Sequence, residues 1–466
     1  MENDKKKELF ENMPVPKALA TLAVPTIISQ LISLIYSIVD TYFIGRTGNS
    51  YMMAAITLTF TIFMMTTAFS NLFGVGGGSL IARLNGKHDT ENAKKVSALS
   101  VYGAIGIAVF YSVLIASLMD PILILFGASN ETMTFAQQYV WTVVVAGNLP
   151  VILSVTLAHL LRNVGYSTQA SIGLSAGGIL NIILDPLLMF VILPDGMEVF
   201  GAALATLIAN IISCIYLLIA VGKASKSAPL SLKFSDIKGM RKEDIKSFFA
   251  VGVPSMVLTG LFDIANVFLN ALMAAHGDLE LAAIGIVMKA ERLPNAVNLG
   301  ICQGMLPMVA YNYSSGNKKR MNDVMRFARN SGVIVSLISI VIFELLASPI
   351  VSIFMDTAAA ENVQNAIATI GFATIFLRIR CLASPFQYIN YHSSFCMQAM
   401  GNGTYTLLHA VVRELVLYIP FMFLFNTVFG TYGLVSALIA GEGLGAVFAL
   451  FLLRHWLKKQ NIITNA

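Results

Sequence analysis

The stretch ALATLAVPTIISQLISLIYSIVDTYF, residues 18–43, carries a single charged side chain, Asp40. A helix needs about 20 predominantly apolar residues to cross the hydrocarbon core of a bilayer, and this stretch is long enough. Similar stretches with few or no charges recur along the chain, at 96–118, 331–346 and 407–425. The recurrence predicts an all-α integral membrane protein whose first apolar stretch is a retained helix.

The composition of the whole chain supports the same fold class. Of its 466 residues, 56% are hydrophobic and 12% are charged, and the mean hydropathy is +0.75. Soluble domains carry roughly 25% charged residues, so this chain has too little polar surface for a water-exposed globule. Polar interruptions divide the apolar residues into twelve predicted transmembrane helices. They are 17–43, 52–77, 95–118, 134–160, 167–191, 197–222, 247–274, 281–311, 323–346, 363–397, 404–426 and 431–456.

Lysine and arginine are concentrated in alternate loops. Basic residues cluster around 83–95, 223–246 and 318–329, whereas the intervening loops are short and carry mainly acidic residues. Cytoplasmic loops of membrane proteins are enriched in Lys and Arg. The asymmetry predicts that both termini and the long loops face the cytoplasm, and an even number of helices agrees with this orientation.

The two halves of the chain contain similar motifs in the same order, which indicates an internal duplication. Residues 23–26 correspond to 252–255, and residues 162–165 correspond to 398–401. Because each half has an even number of helices, we expect two pseudo-symmetric six-helix bundles in one orientation, with a cavity between them. The predicted organisation is a cytoplasmic tail at 1–16, an N-lobe at 17–222, a cytoplasmic linker at 223–246, a C-lobe at 247–457 and a tail at 458–466.

Two acidic residues lie within apolar stretches of the first half, Asp40 and Asp185. An ionisable side chain inside the membrane costs about 2.5–3.5 kcal/mol on insertion scales, so such residues are functional candidates. Asn181 precedes Asp185 by four residues and shares its helix face, and Thr206 could add a hydroxyl. These oxygen ligands suit Na⁺, and the two carboxylates could equally hold a proton. The alternative for each acid is a carboxylate at headgroup level that faces water.

The second half offers candidates for a substrate site. Asp263 lies in the middle of the seventh predicted helix, where it could provide a negative charge for a cationic substrate, whereas Arg413 and Glu414 are interpreted as a structural ion pair. We expect the substrate cavity between the halves, lined by the first, second, seventh and eighth helices, where Met and aromatic side chains give adaptable contacts. The candidate residues are Gln30, Tyr36, Met256, Asp263, Met288 and Glu291.

Several of these segments together resemble the multidrug and toxic compound extrusion (MATE) family, over essentially the whole chain, and most closely its bacterial MepA-like branch. The most specific segment is 303–312, in which Gly304, Pro307 and Asn312 fit a G-x-x-P-x-x-x-x-N pattern. The other segments are Val24-Pro25 with Val39-Asp40, Ala82–Gly86, Arg162–Gly165, Asn181–Pro186 and Gly201–Ala203.

The resemblance implies two bundles in a V shape and export of cationic, amphipathic compounds by alternating access in exchange for H⁺ or Na⁺. It assigns the cation site of the N-lobe to Asp40, Asn181, Asp185 and Thr206, where Na⁺ would be the metal ion. In relatives with a C-lobe site an acid stands on the tenth helix, whereas this chain has Arg378 and Arg380 there. The protein is then expected to need no cofactor besides the coupling ion, and to work as a monomer in the bacterial inner (cytoplasmic) membrane.

Other functions fit the sequence less well. A lipid-linked sugar or lipid flippase of the same superfamily is the main alternative, because Arg378, Arg380 and Arg413 lie within predicted helices. The metal-binding motifs of a membrane-embedded enzyme, D-D-x-x-D and H-E-x-x-H, are absent from the sequence, as is a Walker A motif, so we expect neither an enzyme nor an ATP-driven pump. Nucleic acid is not expected as a partner, because no basic stripe with interleaved aromatic residues occurs.

Overall fold

The computed structural model of the protein describes residues 8–47, 49–354 and 363–462. Within these ranges every regular element is helical and no strand occurs. The helices form twelve spans, α1 to α12. They are α1 Val15–Gly45, α2 Ser50–Gly86, α3 Thr90–Ser117, α4 Asn130–Ala146 with Asn148–Asn163, α5 Ser167–Ile192, α6 Glu198–Ala224, α7 Lys242–Ala274, α8 Asp278–Ser314, α9 Lys318–Ile353, α10 Val363–Cys381 with Ser384–Ala399, α11 403–429 and α12 431–459.

The twelve spans become apparent once the breaks in the helices are considered. In the described part of the chain, eight helices are long and apolar enough to cross a membrane, and α4 and α10 add two more spans bent by 46° and 49°. Gly430, with a φ of +60°, divides the 57-residue segment Gly403–Lys459 into α11 and α12. The remaining span, α8, has 37 residues but several charged side chains near its start. The predicted twelve-helix fold is therefore confirmed.

The helices extend further than the hydropathy pattern predicts. α2 continues to Gly86 instead of ending near residue 77, because its run of glycines stays helical and packs closely against the second half. A Cβ atom on Gly76 would lie 2.9 Å from the Cα atom of Gly252, and one on Gly304 would lie 2.8 Å from the Cα atom of Ala23. Small residues let membrane helices pack at backbone distance. α2 thus packs on α7, and α8 packs on α1.

These close contacts occur on the side of the bundle that holds both ends of the described chain, called here the terminal side. Lys318, which begins α9, donates a hydrogen bond to the backbone oxygen of Asn461 at 3.1 Å. One hydrophobic cluster on this side contains buried residues of both halves, among them Leu22, Val75 and Met305. The two halves therefore share a core on the terminal side.

Residues 8–13, which precede α1, also join the two halves. The guanidinium of Arg320 on α9 donates hydrogen bonds to the backbone oxygens of Phe10 at 2.6 Å and Met13 at 2.7 Å. The ring of Phe10 stacks on that of Tyr311 with centroids 5.1 Å apart, and Asn312 donates to the backbone oxygen of Phe10. This part of the predicted N-terminal tail is therefore packed against the second half of the chain.

The opposite side of the bundle is built differently. The hydrophobic clusters described there each belong to one half: one surrounds Leu123, another Ile44, and a third Phe376. The halves thus share packing on the terminal side and have separate cores on the other. Between α6 and α7, residues 225–241 lie along α3, where the hydroxyl of Tyr102 donates to the backbone oxygen of Leu232 at 2.9 Å.

Candidate functional site

A buried polar site lies within the first half, where α5 and α6 place three of the sequence-predicted residues in contact. The side-chain amide of Asn181 donates hydrogen bonds to Asp185 Oδ1 at 3.1 Å and to Thr206 Oγ1 at 3.3 Å. Asp185 is 0% exposed and Asn181 is 3% exposed. The helical spacing of four residues predicted the first of these contacts, and only the packing of α6 on α5 supplies the second.

Asp40 reaches the same site from α1. α1 packs on α5 beside Gly178, where a Cβ atom would lie 3.1 Å from Ile32 Cγ2 and 3.3 Å from Tyr36 Cδ1, so that a larger residue would push the helices apart. The carboxyl groups of Asp40 and Asp185 are close enough to act on each other electrostatically. The structure therefore brings all four predicted cation-site residues into one region.

Three acceptor oxygens at this site have no hydrogen-bond partner within the described residues. They are Asp40 Oδ1, Asp185 Oδ2 and Asn181 Oδ1, and each is buried. Within the described residues, no Lys or Arg forms an ion pair with the carboxylate of Asp40 or of Asp185. Buried polar groups in proteins are nearly always satisfied, so unsatisfied acceptors around two acids indicate a place for a proton or a cation.

Two tyrosines lie beside the acids. Tyr36 of α1 and Tyr139 of α4 both experience the charges of Asp40 and Asp185. Tyr36 was predicted to contact substrate. It does not line the central cavity described below, but it also experiences the charge of Arg292, which does, and its contact with substrate stays a prediction. Sequence analysis missed Tyr139, because no local pattern relates a residue of α4 to acids on α1 and α5.

The donor set at the acid site suits a hard monovalent cation. Across the described ranges, no three His, Cys, Asp or Glu side chains come together in an arrangement that could hold a metal ion. Two carboxylates, one amide and one hydroxyl remain as oxygen donors, and Mg²⁺, Ca²⁺ and the alkali ions prefer oxygen to sulfur or nitrogen. The residues fit Na⁺, and the same carboxylates fit a proton.

A second feature is a cavity of about 310 Å³ between α1 and the second half of the chain. Three of the predicted substrate residues line it: Gln30, Met288 and Glu291. Asp263 does not line it and interacts electrostatically with Arg292. Met256 packs instead at the edge of the hydrophobic cluster that includes Phe248. Contact of Asp263 and Met256 with substrate stays a prediction.

Ion pairs surround this cavity on the side of the second half. Arg380 of α10 donates two hydrogen bonds to the carboxylate of Glu291 on α8, both at 2.9 Å. Arg413 of α11 donates two hydrogen bonds to Glu442 of α12, at 3.0 and 2.5 Å. The distance from Arg413 Nε to Glu414 Oε1 is 3.5 Å, so the adjacent pair interpreted from the sequence is the weaker of the two.

The family model called MatE matches residues 25–187 and 254–424, one segment in each half of the chain. The chain belongs to the MATE family. MATE proteins are membrane transporters, so the predictions of a multi-pass transporter and of a protein that is not an enzyme are confirmed.

The relatives of this MATE protein include export proteins of bacteria. Multidrug export protein MepA of Staphylococcus saprophyticus is 31% identical over 454 residues, which is 97% of each chain. MepA of Staphylococcus aureus is 31% identical over 450 residues, 96% of each chain. A solved structure described as the outward-facing conformation of a multidrug resistance MATE family transporter has a TM-score of 0.89 at 22% identity, covering 98% of each chain.

Proposed function

We propose that this MATE protein is a multidrug efflux antiporter that exports cationic, amphipathic compounds in exchange for H⁺ or Na⁺. The observation that carries the proposal is the pair of carboxylates of Asp40, which is half-buried, and Asp185, which is fully buried. Each has an unsatisfied buried oxygen and no basic partner in the described residues. The relatives named as multidrug export proteins support the same function.

The acid site couples ion binding to conformation through its charge. Without a bound cation or proton, two carboxylates in an apolar bundle repel each other and lack solvation, which is costly. A proton or Na⁺ neutralises them, with Asn181 and Thr206 completing the shell. The ion shifts the balance between two conformations only by its different affinity for each. Pro25 in α1 and Pro186 in α5 are positions where these helices can bend.

The shape of the bundle supports a direction of export. The halves share a core on the terminal side, whereas their cores are separate on the opposite side. With both termini in the cytoplasm of a bacterium, this arrangement is closed to the cytoplasm, and substrate leaves on the outer side as the ion enters.

All four natural cysteines are buried, so single cysteines at 233 and 195 can report orientation. A membrane-impermeant label added outside should reach position 195 and miss position 233, and the reverse would refute this orientation.

The coupling proposal is tested in inverted membrane vesicles prepared from bacteria that express the protein. Uptake of a cationic dye is measured under an imposed pH gradient and, separately, under an imposed Na⁺ gradient. Wild type should respond to one gradient, which identifies the ion. Asp40→Asn and Asp185→Asn should each abolish the gradient-driven uptake, and Glu344→Gln, a half-exposed carboxylate of α9, serves as the matched control. Wild-type uptake by both Asp variants at equal expression would rule the site out.

The flippase alternative has less support from the site. A transporter of lipid-linked sugar phosphates would need several basic groups free in the cavity. Arg380 and Arg413 are each neutralised by a glutamate in bidentate geometry, which leaves Arg292 as the cavity arginine without an ion pair in the described residues. A functional monomer is part of the proposal, because all four residues of the acid site lie in the first half of the chain and the site is complete without a second copy.

A further inference from the structure

Three carboxylates line the central cavity, and two of them are fully engaged. Glu291 is held by Arg380 through two hydrogen bonds of 2.9 Å. Glu442 is held by Arg413 and also accepts a hydrogen bond from the side-chain amide of Asn390 at 2.6 Å. Bidentate arginine–carboxylate pairs are strong and fix both partners, so neither acid is available to a ligand.

The third carboxylate, Glu414, is 1% exposed and incompletely satisfied. Its Oε1 atom has no hydrogen-bond partner among the described residues, although it lies 3.5 Å from Arg413 Nε. Arg413 directs its donors to Glu442, and its guanidinium also lies over the ring of Tyr391, 5.1 Å from the centroid. One positive charge is thus shared by two carboxylates, which leaves this group of three with a net negative charge when all are ionised.

The rest of the cavity wall suits an aromatic cation. Tyr418 and Phe262 provide aromatic surface, and aromatic faces attract cations. On the side of α1, Gln30, Ser33 and Ser37 provide uncharged polar groups. From these contacts we infer that Glu414 binds the positively charged group of the exported compound. This inference rests on the proposed function and names the residue that recognises the substrate's charge.

Arg292 restricts the charge of the ligand. It also lines the cavity, it is exposed, and it forms no ion pair within the described ranges. A ligand with a second positive charge would meet this guanidinium, so the cavity favours compounds with one positive charge next to an aromatic body.

The test measures binding to the purified full-length protein in lipid nanodiscs without any ion gradient, so that coupling at Asp40 and Asp185 is not required. The probes are N-methyl-4-phenylpyridinium, a permanent monocation, and 4-methylbiphenyl, its uncharged isostere. Glu414→Gln should raise the Kd of the pyridinium by at least about tenfold and change that of the isostere by less than about twofold. Glu344→Gln, the control outside the cavity, should leave both values within about twofold of wild type.

A second variant tests the inference without changing Glu414 itself. Glu442→Gln keeps the carboxylate at 414 but releases Arg413 to pair with it, so the pyridinium should again bind at least about tenfold more weakly. An unchanged Kd for the pyridinium in either variant overturns the inference while leaving the proposed export function intact. Failure of the wild type to bind the pyridinium would also overturn the inference, whereas the proposed export function is decided separately by dye uptake in vesicles.

Discussion

The two halves of this transporter both bury acidic side chains, but they surround them differently. In the first half, Asp40 and Asp185 have an amide and a hydroxyl nearby and no ion pair within the described residues. In the second half, Glu291 and Glu442 are each fixed by an arginine. An acid that lacks a fixed partner is free to exchange a proton or a cation, whereas a paired acid is a permanent part of the structure. The two halves of a duplicated fold therefore differ within the described residues: both acids of the first-half site lack a basic partner, whereas two of the three cavity acids of the second half are paired with an arginine.

The largest loss of stability is expected when the buried ion pair of Arg413 is broken. Arg413→Gln removes the arginine that pairs with Glu442 and lies 3.5 Å from Glu414, and leaves both buried carboxylates without an ion pair in the described structure. Breaking one side of a buried ion pair typically costs about 3–5 kcal/mol. The midpoint of thermal unfolding in detergent should fall sharply, and an unchanged midpoint would show that the pair in the second half is not structural.

Asp185→Asn should stabilise the fold, in contrast to Arg413→Gln, because it removes a buried charge that lacks a basic partner. The asparagine oxygen can still accept the hydrogen bond from Asn181, so folding is retained. Relief of an unsatisfied buried group is worth about 1–3 kcal/mol, and we expect the free energy of unfolding to rise in ion-free buffer at alkaline pH. Loss of export combined with a lower unfolding midpoint would indicate that Asp185 is a structural residue, which would remove the contrast between the halves.

Thr206→Val removes one uncharged hydrogen-bonding group from the acid site, so its expected effect on export and stability is smaller than that of Asp185→Asn. It removes the acceptor of the 3.3 Å hydrogen bond from Asn181 and keeps the volume of the side chain. The net contribution of one neutral hydrogen bond is about 0.5–1.5 kcal/mol. Export should persist at a reduced rate, and the unfolding midpoint should fall slightly. Complete loss of export would mean that the threonine hydroxyl is an essential ligand of the ion.

The smallest change in stability is expected for an ion pair outside the membrane-spanning segments, between Asp89 and Arg241 at 3.0 Å. Partial burial would raise the pKa of Asp89, but the hydrogen bonds from Asn92 together with the positive charge and hydrogen bond of Arg241 outweigh it and hold the pKa below its usual value. A depressed pKa in the folded state stabilises the protein above the unfolded-state pKa of about 4, and this contribution is lost as the pH falls below it.

Asp89→Asn keeps a residue that caps a helix well and removes only the charge. Its unfolding midpoint should lie slightly below that of wild type at pH 7, and the difference should disappear in acid. Because surface pairs contribute little, a large loss of stability at pH 7 would show that the pair holds the two halves together.

Local patterns in the sequence were sufficient for the helices and for part of the acid site. Apolar stretches of membrane length predicted twelve spans, because every backbone group in a bilayer must be satisfied within its own helix. The separation of four residues between Asn181 and Asp185 predicted their contact, since helical geometry alone decides it. The recurrence of motifs predicted the two halves, and the family model matches once in each.

Only the tertiary structure decided which distant side chains meet. Arg413 pairs with Glu442 and only weakly with its neighbour Glu414, because consecutive residues on a helix point in different directions. The proximity of Tyr139 to the acids, the partnership of Arg380 with Glu291 and the packing of residues 8–13 on α9 depend on how separate helices stack. Helix formation is a local process whose signal lies in consecutive residues. The partner of a buried charge is set by contacts between helices that are far apart in the chain, and no local pattern encodes them.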